Sequence, residues 1–296
     1  MKRREFLKNS FVFLAGLSLS NIFKGKRDIS FAEEKYSEIF VGKGSNYEEV
    51  TIKVIEKMGG IEKFVKKGQK VVIKPNIAWN RTPEQGANTH PDVVSALVKL
   101  CKKTGAEVIV TENPVNNWNV SFVTSGVKES VEKAGGIIKP PSEWVKVNVN
   151  GDVLKEAEVL KDVVECDVLI DVPVVKVHGV GIVTIAMKNF MGIVKDRGYF
   201  HRTDLHRCIA EITKYILPKT KLIVLDATRI MLTGGPQGPG ELKQLDMVIG
   251  GTDIVALDAY GTTLLGKTPE SVPHIKYGAE MGLGIMDLNK VKIKNV

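Results

Sequence analysis

The 296-residue chain has few cysteines, few aromatics, no metal-binding spacing and no long charge run, and most of these shortages exclude a class of function. Its three cysteines are Cys101, Cys166 and Cys208, with no C-x-x-C and no zinc-ribbon spacing among them. Three thiols cannot supply the four ligands of an intrinsic iron–sulfur cluster. Each lies among apolar neighbours in or beside a helical pattern. The expectation is three small packed side chains, with one disulfide and a leftover thiol as the alternative. No H-x-x-x-H or H-E-x-x-H occurs, which argues against a metalloprotease. A dinucleotide fingerprint would need a third glycine after Gly179 and Gly181, and that position is Thr184, so a Rossmann cofactor loop is disfavoured. The formal charge is +8, but residues 1–32 hold seven Lys/Arg against two Asp/Glu, which leaves +3 on residues 33–296. With Lys and Glu interspersed, that balance makes no case for nucleic acid. Past the N-terminal region, no segment is long and apolar enough to span a bilayer.

The N-terminus reads as an address. Lys2, Arg3 and Arg4 form a basic start, residues 11–19 an apolar run, and Ser30-Phe31-Ala32 a small-x-small cleavage pattern. Arg3-Arg4-Glu5-Phe6-Leu7-Lys8 resembles a twin-arginine export signal, with Lys2 where many such signals carry Ser or Thr. The expectation is a signal peptide over 1–32 and a domain over 33–296, exported by the twin-arginine machinery to a periplasmic or extracytoplasmic location. An ordinary secretory signal or a retained anchor is the alternative. The twin-arginine route moves folded proteins, so a metal ion or organic cofactor could be loaded before export.

Strand and helix signals then alternate. Residues 38–41, 71–76, 107–111, 168–176, 221–226 and 247–249 read as strands. Helical patterns cover 47–58, 91–103, 121–133 and 252–265, with a further one after Thr203 in which Leu205, Ile209, Ile212 and Ile216 form a stripe. Near-continuous apolar strands joined by helices imply an α/β fold, a mainly parallel sheet with helices on both faces. Residues 139–152 break the rhythm and alternate like a hairpin, which suggests a small subsidiary lobe.

The region 168–194 is apolar yet contains Asp171, Lys176, His178, Thr184, Lys188 and Asn189. It reads as a buried strand, a glycine turn and an apolar helix. Polar groups in such surroundings need partners or a ligand. In a parallel sheet the strand ends share one edge, where ligands bind. Lys74 with Asn76, and Lys176 with His178, each face one side by the two-residue period. Gly179 and Gly181 would let backbone N–H groups approach an anion. Lys188 needs a carboxylate such as Asp171, or a ligand anion. His178 and His201 are candidates for acid–base work or metal ligation, and His90 for a ligand contact or a helix cap. Asp253 and Asp258 frame the last strand–helix unit, where folding and catalytic roles are equally open. The glycine-rich loop 234–240 reads as a flap or a long turn.

Taken in order, Ile73-Lys74-Pro75-Asn76, Thr89-His90-Pro91, Lys176-Val177-His178, Thr184 with Ala186-Met187-Lys188-Asn189 and Gly192, His201, Gly235 to Gly238, and Gly250-Gly251-Thr252-Asp253 through Asp258 resemble the domain of unknown function 362 family. The family's usual Lys-Thr-His is Lys176-Val177-His178 here. The resemblance implies exported or iron–sulfur-associated company, hence a redox partner protein, but supplies no reaction. The fold type is similar, more loosely, to lactate-racemase-like proteins, which use lysine and histidine around a nickel cofactor; no motif carries their residues over. The functional expectation is a small anionic substrate or cofactor, held by Lys74, Asn76, His90, Lys176, Gly179, Gly181, Thr184, Asn189, Asp253 and Asp258. His178, Lys188 and His201 would act on it. A non-catalytic periplasmic binding or accessory protein is the alternative.

Overall fold

The computed structural model describes residues 36–296; the expected export signal lies outside the described residues. The apolar run Lys70–Pro75 (β2) is buried on both faces because it lies mid-sheet between Glu107–Val110 (β3) and Val168–Val172 (β7), parallel to both. Ile137–Ile138 (β4) extends the sheet beyond β3. On the other side of β7 lies the long Thr220–Met231 (β10), also parallel. Ser37–Lys43 (β1) and Val291–Asn295 (β12) pair parallel at the far edge. Between β1 and β10 runs Leu242–Gly251 (β11), antiparallel to both. The sheet is therefore mainly parallel, and β11, expected to be short, is a full strand returning from β10.

Side-chain alternation divides the interior into two layers. Val71, Ile73, Val108, Ile170 and Val224 face Tyr47–Lys57 (α1) and Pro91–Lys103 (α2). Val72, Leu169, Ile223 and Ile249 face Leu205–Ile216 (α8) and Ile254–Leu264 (α9). Pro91 begins α2, where a missing N–H is harmless, and the apolar stripe of α8 is buried throughout. Among the described residues, no helix is long and apolar enough to cross a membrane. Cys101, Cys166 and Cys208 are buried and unbridged.

Several local expectations are corrected. The helix expected over 121–133 is two, Trp118–Thr124 and Val127–Lys133, broken at Gly126 with φ +73°. Asp204 and Asp253, rather than Thr203 and Thr252, cap α8 and α9. The lobe expected near 139–152 is a hairpin of Trp144–Asn148 (β5) and Glu156–Leu160 (β6), a sheet of its own. The Glu211 carboxylate of α8 holds its turn through the N–H groups of Asp152, Val153 and Leu154.

The largest correction concerns residues 168–194. Pro173, which has no N–H, separates β7 from Val174–His178 (β8). β8 then turns at residues 179–181 into Ile182–Thr184 (β9), which pairs with it antiparallel. Only Ala186–Asn189 (α6) is α-helical, followed by a 3-10 turn at Phe190–Ile193. The β-branched Val183 and Thr184 favour extended backbone over a helix at this point, while Ile182 takes a left-handed φ of +65° as the hairpin turns.

Candidate active site

The site grows from the C-terminal ends of β2, β3 and β8. Lys74 is fully buried, and its three ammonium donors are all used: on the Glu112 carboxylate, on Asn189 Oδ1 at 2.7 Å, and on the Pro75 carbonyl at 2.9 Å. Asn189 is the hub of this floor. Its Oδ1 also accepts from Asn76 Nδ2 at 2.9 Å, and its Nδ2 donates to Asp171 Oδ1 at 2.7 Å. Asn76 in turn accepts from Lys176 Nζ at 2.9 Å, and Lys176 also donates to the Ala87 carbonyl. Thr89 fastens the segment bearing Ala87 to the sheet, accepting from Asn76 N–H and donating to the Val172 carbonyl. Gly192 is required here because a Cβ would stand 1.8 Å from Glu112 Oε1.

Above this floor lies a cavity of about 430 Å³. Asn76, Glu112, Lys176, His178, Thr184, Lys188, Asn189, Arg197 and His201 supply its polar lining, and Trp79, Val115, Met191 and Pro236 its apolar one. The Gly234–Gly240 loop contributes Pro236. The loop is tied to the 79–82 segment by Arg81 Nε, which donates to the Gln237 carbonyl.

Lys188 is 8% exposed and makes no hydrogen bond or ion pair with any described residue. Burial, with the charges of Arg197 and Lys74, lowers its pKa to about 8. A side chain at Gly181 would meet Lys188 Cε at 2.5 Å, so that glycine makes room for the lysine rather than for an anion. Lys176 is likewise held well below an ordinary lysine by burial and by Lys188. Thr184 Oγ1 is buried without a partner. Arg197 donates to the Asn113 and Pro114 carbonyls, which leaves three of its five donors unclaimed by protein groups.

His178 Nδ1 accepts from the Gly181 N–H at 3.0 Å. A ring that accepts at Nδ1 is neutral with its proton on Nε2. Burial and the charges of Lys188 and Lys176 push its pKa down to about 3, so this imidazole is a donor through Nε2–H and a poor base near neutrality. His201 is also lowered, chiefly by burial.

Other expected site residues fall elsewhere. Lys74 lies in the floor, neutralised by Glu112, and does not line the cavity. His90 caps α2 through its ring and donates its own N–H to Asp226. Gly179 lies in an open turn away from the main cavity. Asp253 ends β11, which runs opposite to β10, and so lies at the other edge of the sheet; it accepts from Ala256 and Ile285 N–H groups. Asp258 is buried behind α6, accepting from the Ala186 and Met187 N–H groups, and burial raises its pKa to about 7. It pairs with neither Lys188 nor Lys74. Asp171, the expected partner of Lys188, bonds Asn189 instead. His206 is engaged by His274, their Nδ1 atoms 2.9 Å apart. Among the described residues no group of three or more His, Cys, Asp or Glu could hold a metal ion, so His178 and His201 lack a third ligand.

Two polar lining residues were not expected. Glu112 carried a signal, a carboxylate directly after the apolar strand Glu107–Val110 and Thr111. Arg197 carried none, since Lys195-Asp196-Arg197 reads as ordinary surface charge.

Residues 71–263, well over half of the chain, match the family described as domain of unknown function (DUF362). A thylakoid-associated protein of Synechocystis sp. is 26% identical over 247 residues, covering 78% of this chain and 73% of that protein. Among solved structures, the lactate racemase apoprotein from Thermoanaerobacterium thermosaccharolyticum aligns with a TM-score of 0.46 at 11% identity, over 77% of this chain and 56% of that one. A protein from Thermotoga maritima aligns with a TM-score of 0.45 at 11% identity, over 80% and 60%. This chain thus spans little more than half the length of those two structures.

Proposed function

We propose that this chain, which belongs to the domain of unknown function 362 family, binds a small anionic substrate or cofactor in the cavity at the strand ends and acts on it through Lys188. The observation that carries the reading is Lys188, a largely buried side chain that lines the cavity with no counter-charge among the described residues. A buried charge left unpaired costs several kcal/mol, on the order of 3–5 when a partner is removed, and a bound anion would supply that partner. Arg197 adds positive charge and Lys176 a further hydrogen-bond donor to the same cavity, and Glu112 is already committed to Lys74. Thr184 Oγ1 and His178 Nε2–H offer uncharged hydrogen bonds to such a ligand.

The low basicity of His178 supports a second reading, a binding or accessory protein that carries the anion to a redox partner without turnover. Export by the twin-arginine route belongs to both readings and rests on Arg3-Arg4 and the apolar run behind them. Thermal shift and calorimetry with inorganic phosphate, acetate and pyruvate test the common core. Saturable stabilisation by at least one anion, abolished in Lys188→Ala, supports it; no stabilisation by any of the three refutes it. An anion bound but recovered unchanged selects the carrier reading.

A further inference from the structure

We infer that Lys188 is an amine nucleophile that takes a 2-oxo acid as an iminium adduct, with the carboxylate of that acid held by Lys176 and Arg197. The inference rests on the anion-site reading above and names the chemical class of its ligand.

Several lysines are buried in this fold, and geometry separates their roles. Lys74 spends every donor on Glu112, Asn189 and Pro75. Lys176 spends two of three, on Asn76 and the Ala87 carbonyl, which fixes its position and leaves one donor for a ligand. Lys188 spends none, so its nitrogen is free to form a bond without breaking a native contact. An unpartnered amine, desolvated and beside other cations, is the setting in which a lysine loses its proton readily and attacks a carbonyl. Its lowered pKa, about 8, agrees with that setting.

The second observation is Thr184 Oγ1, a buried hydroxyl with no partner lining the same cavity. Thr184 is the register partner of Lys176 across the β8–β9 pair, so hydroxyl and ammonium belong to one wall. A carbonyl oxygen on its way to departure as water needs a hydrogen-bonding group near it, and the Thr184 hydroxyl supplies one.

The step balances within the site. The lysine nitrogen bonds to the keto carbon and the C–O double bond opens. The oxygen leaves as water with two protons that began on the ammonium nitrogen. The C=N–H⁺ product keeps the single positive charge that the ammonium carried. No oxidant, reductant or metal enters the step.

The test uses the purified full chain with pyruvate and sodium cyanoborohydride, read by intact mass and peptide mapping. The hydride reduces the iminium to a stable secondary amine. The expected result is a single adduct, the mass of pyruvate less water plus two hydrogens, mapped to Lys188. It should be absent in Lys188→Arg, which keeps the charge, and in Lys188→Met. Circular dichroism is to confirm that both variants fold. Acetate, which has the carboxylate but no keto group, is the parallel arm for binding. If acetate or pyruvate stabilises the protein but no adduct forms at Lys188, the iminium inference is overturned and the anion site stands. Labelling spread over surface lysines, or confined to Lys176, also overturns it. If neither acid binds, the iminium inference is overturned, and the anion site falls with it only if inorganic phosphate also fails to stabilise the protein.

Discussion

The unpaired Lys188 should make the ligand-free protein less stable than it could be, and Lys188→Met measures by how much. An ordinary lysine has a pKa of 10.5, and in the fold Lys188 is brought down to about 8. At ~1.4 kcal/mol per unit, keeping the group charged near neutrality costs about 3 kcal/mol. Methionine retains a flexible unbranched chain and removes the charge. Urea unfolding at about pH 7 should therefore show the ligand-free variant more stable than the wild type by about 2–3 kcal/mol. The pH dependence follows from where each state releases its proton. The folded chain loses it near 8 and the unfolded chain near 10.5. Between those values the unfolded chain holds more protons, so wild-type stability rises with pH across that interval. The advantage of the variant should shrink through the same window and be nearly gone at about pH 10.5. Saturating anion reverses the order near neutrality, because only the wild type binds it. A variant that is less stable near neutrality, or a gap that does not change with pH, would refute the claim that this ammonium lacks a counter-charge.

Glu112→Gln should act in the opposite direction. It leaves the Lys74 ammonium buried with amide partners only, so the free energy of unfolding should fall by about 3–5 kcal/mol in the same urea experiment. A loss below about 1 kcal/mol would mean that the pair is more solvated than its burial indicates. His178 should remain a neutral Nε2–H ring from about pH 5 to about pH 8, read from its ring nitrogen shifts. A titration centred near 6.5, the ordinary value for a histidine, would contradict the lowered pKa and restore a general-base role.

Much of the site was legible along the chain. The apolar run ending Lys74-Pro75-Asn76 is a central strand, and its two-residue period does put Lys74 and Asn76 onto the same amide, that of Asn189. Lys176, His178, Thr184 and Lys188 do line one cavity. The shape of the chain between them was less legible. Gly179-Val180-Gly181 fits a strand-to-helix turn as well as a hairpin, and a short apolar run has too few residues for its period to decide. Pairing with β8, available only once the chain has folded, makes residues 182–184 a strand. Asp253 and His90 were drawn toward the site by their neighbours in sequence, yet each is consumed by capping a helix.

From sequence alone came the alternating strands and helices, the polar strand ends, and the pairing of Lys176 with His178 on one strand. Local rules determine these, since a side chain's face and a strand's burial depend on residues a few positions away. Which lysine is free came only from the tertiary structure. Lys74 and Lys188 both sit in apolar runs, and nothing near either one distinguishes them. Lys74 is neutralised by Glu112, 38 residues away, and held by Asn189, 115 residues away, while no carboxylate among the described residues reaches Lys188. Counter-charge assignment is a long-range property of the packed sheet edge, because the Coulomb term depends on distance in space and not on separation along the chain.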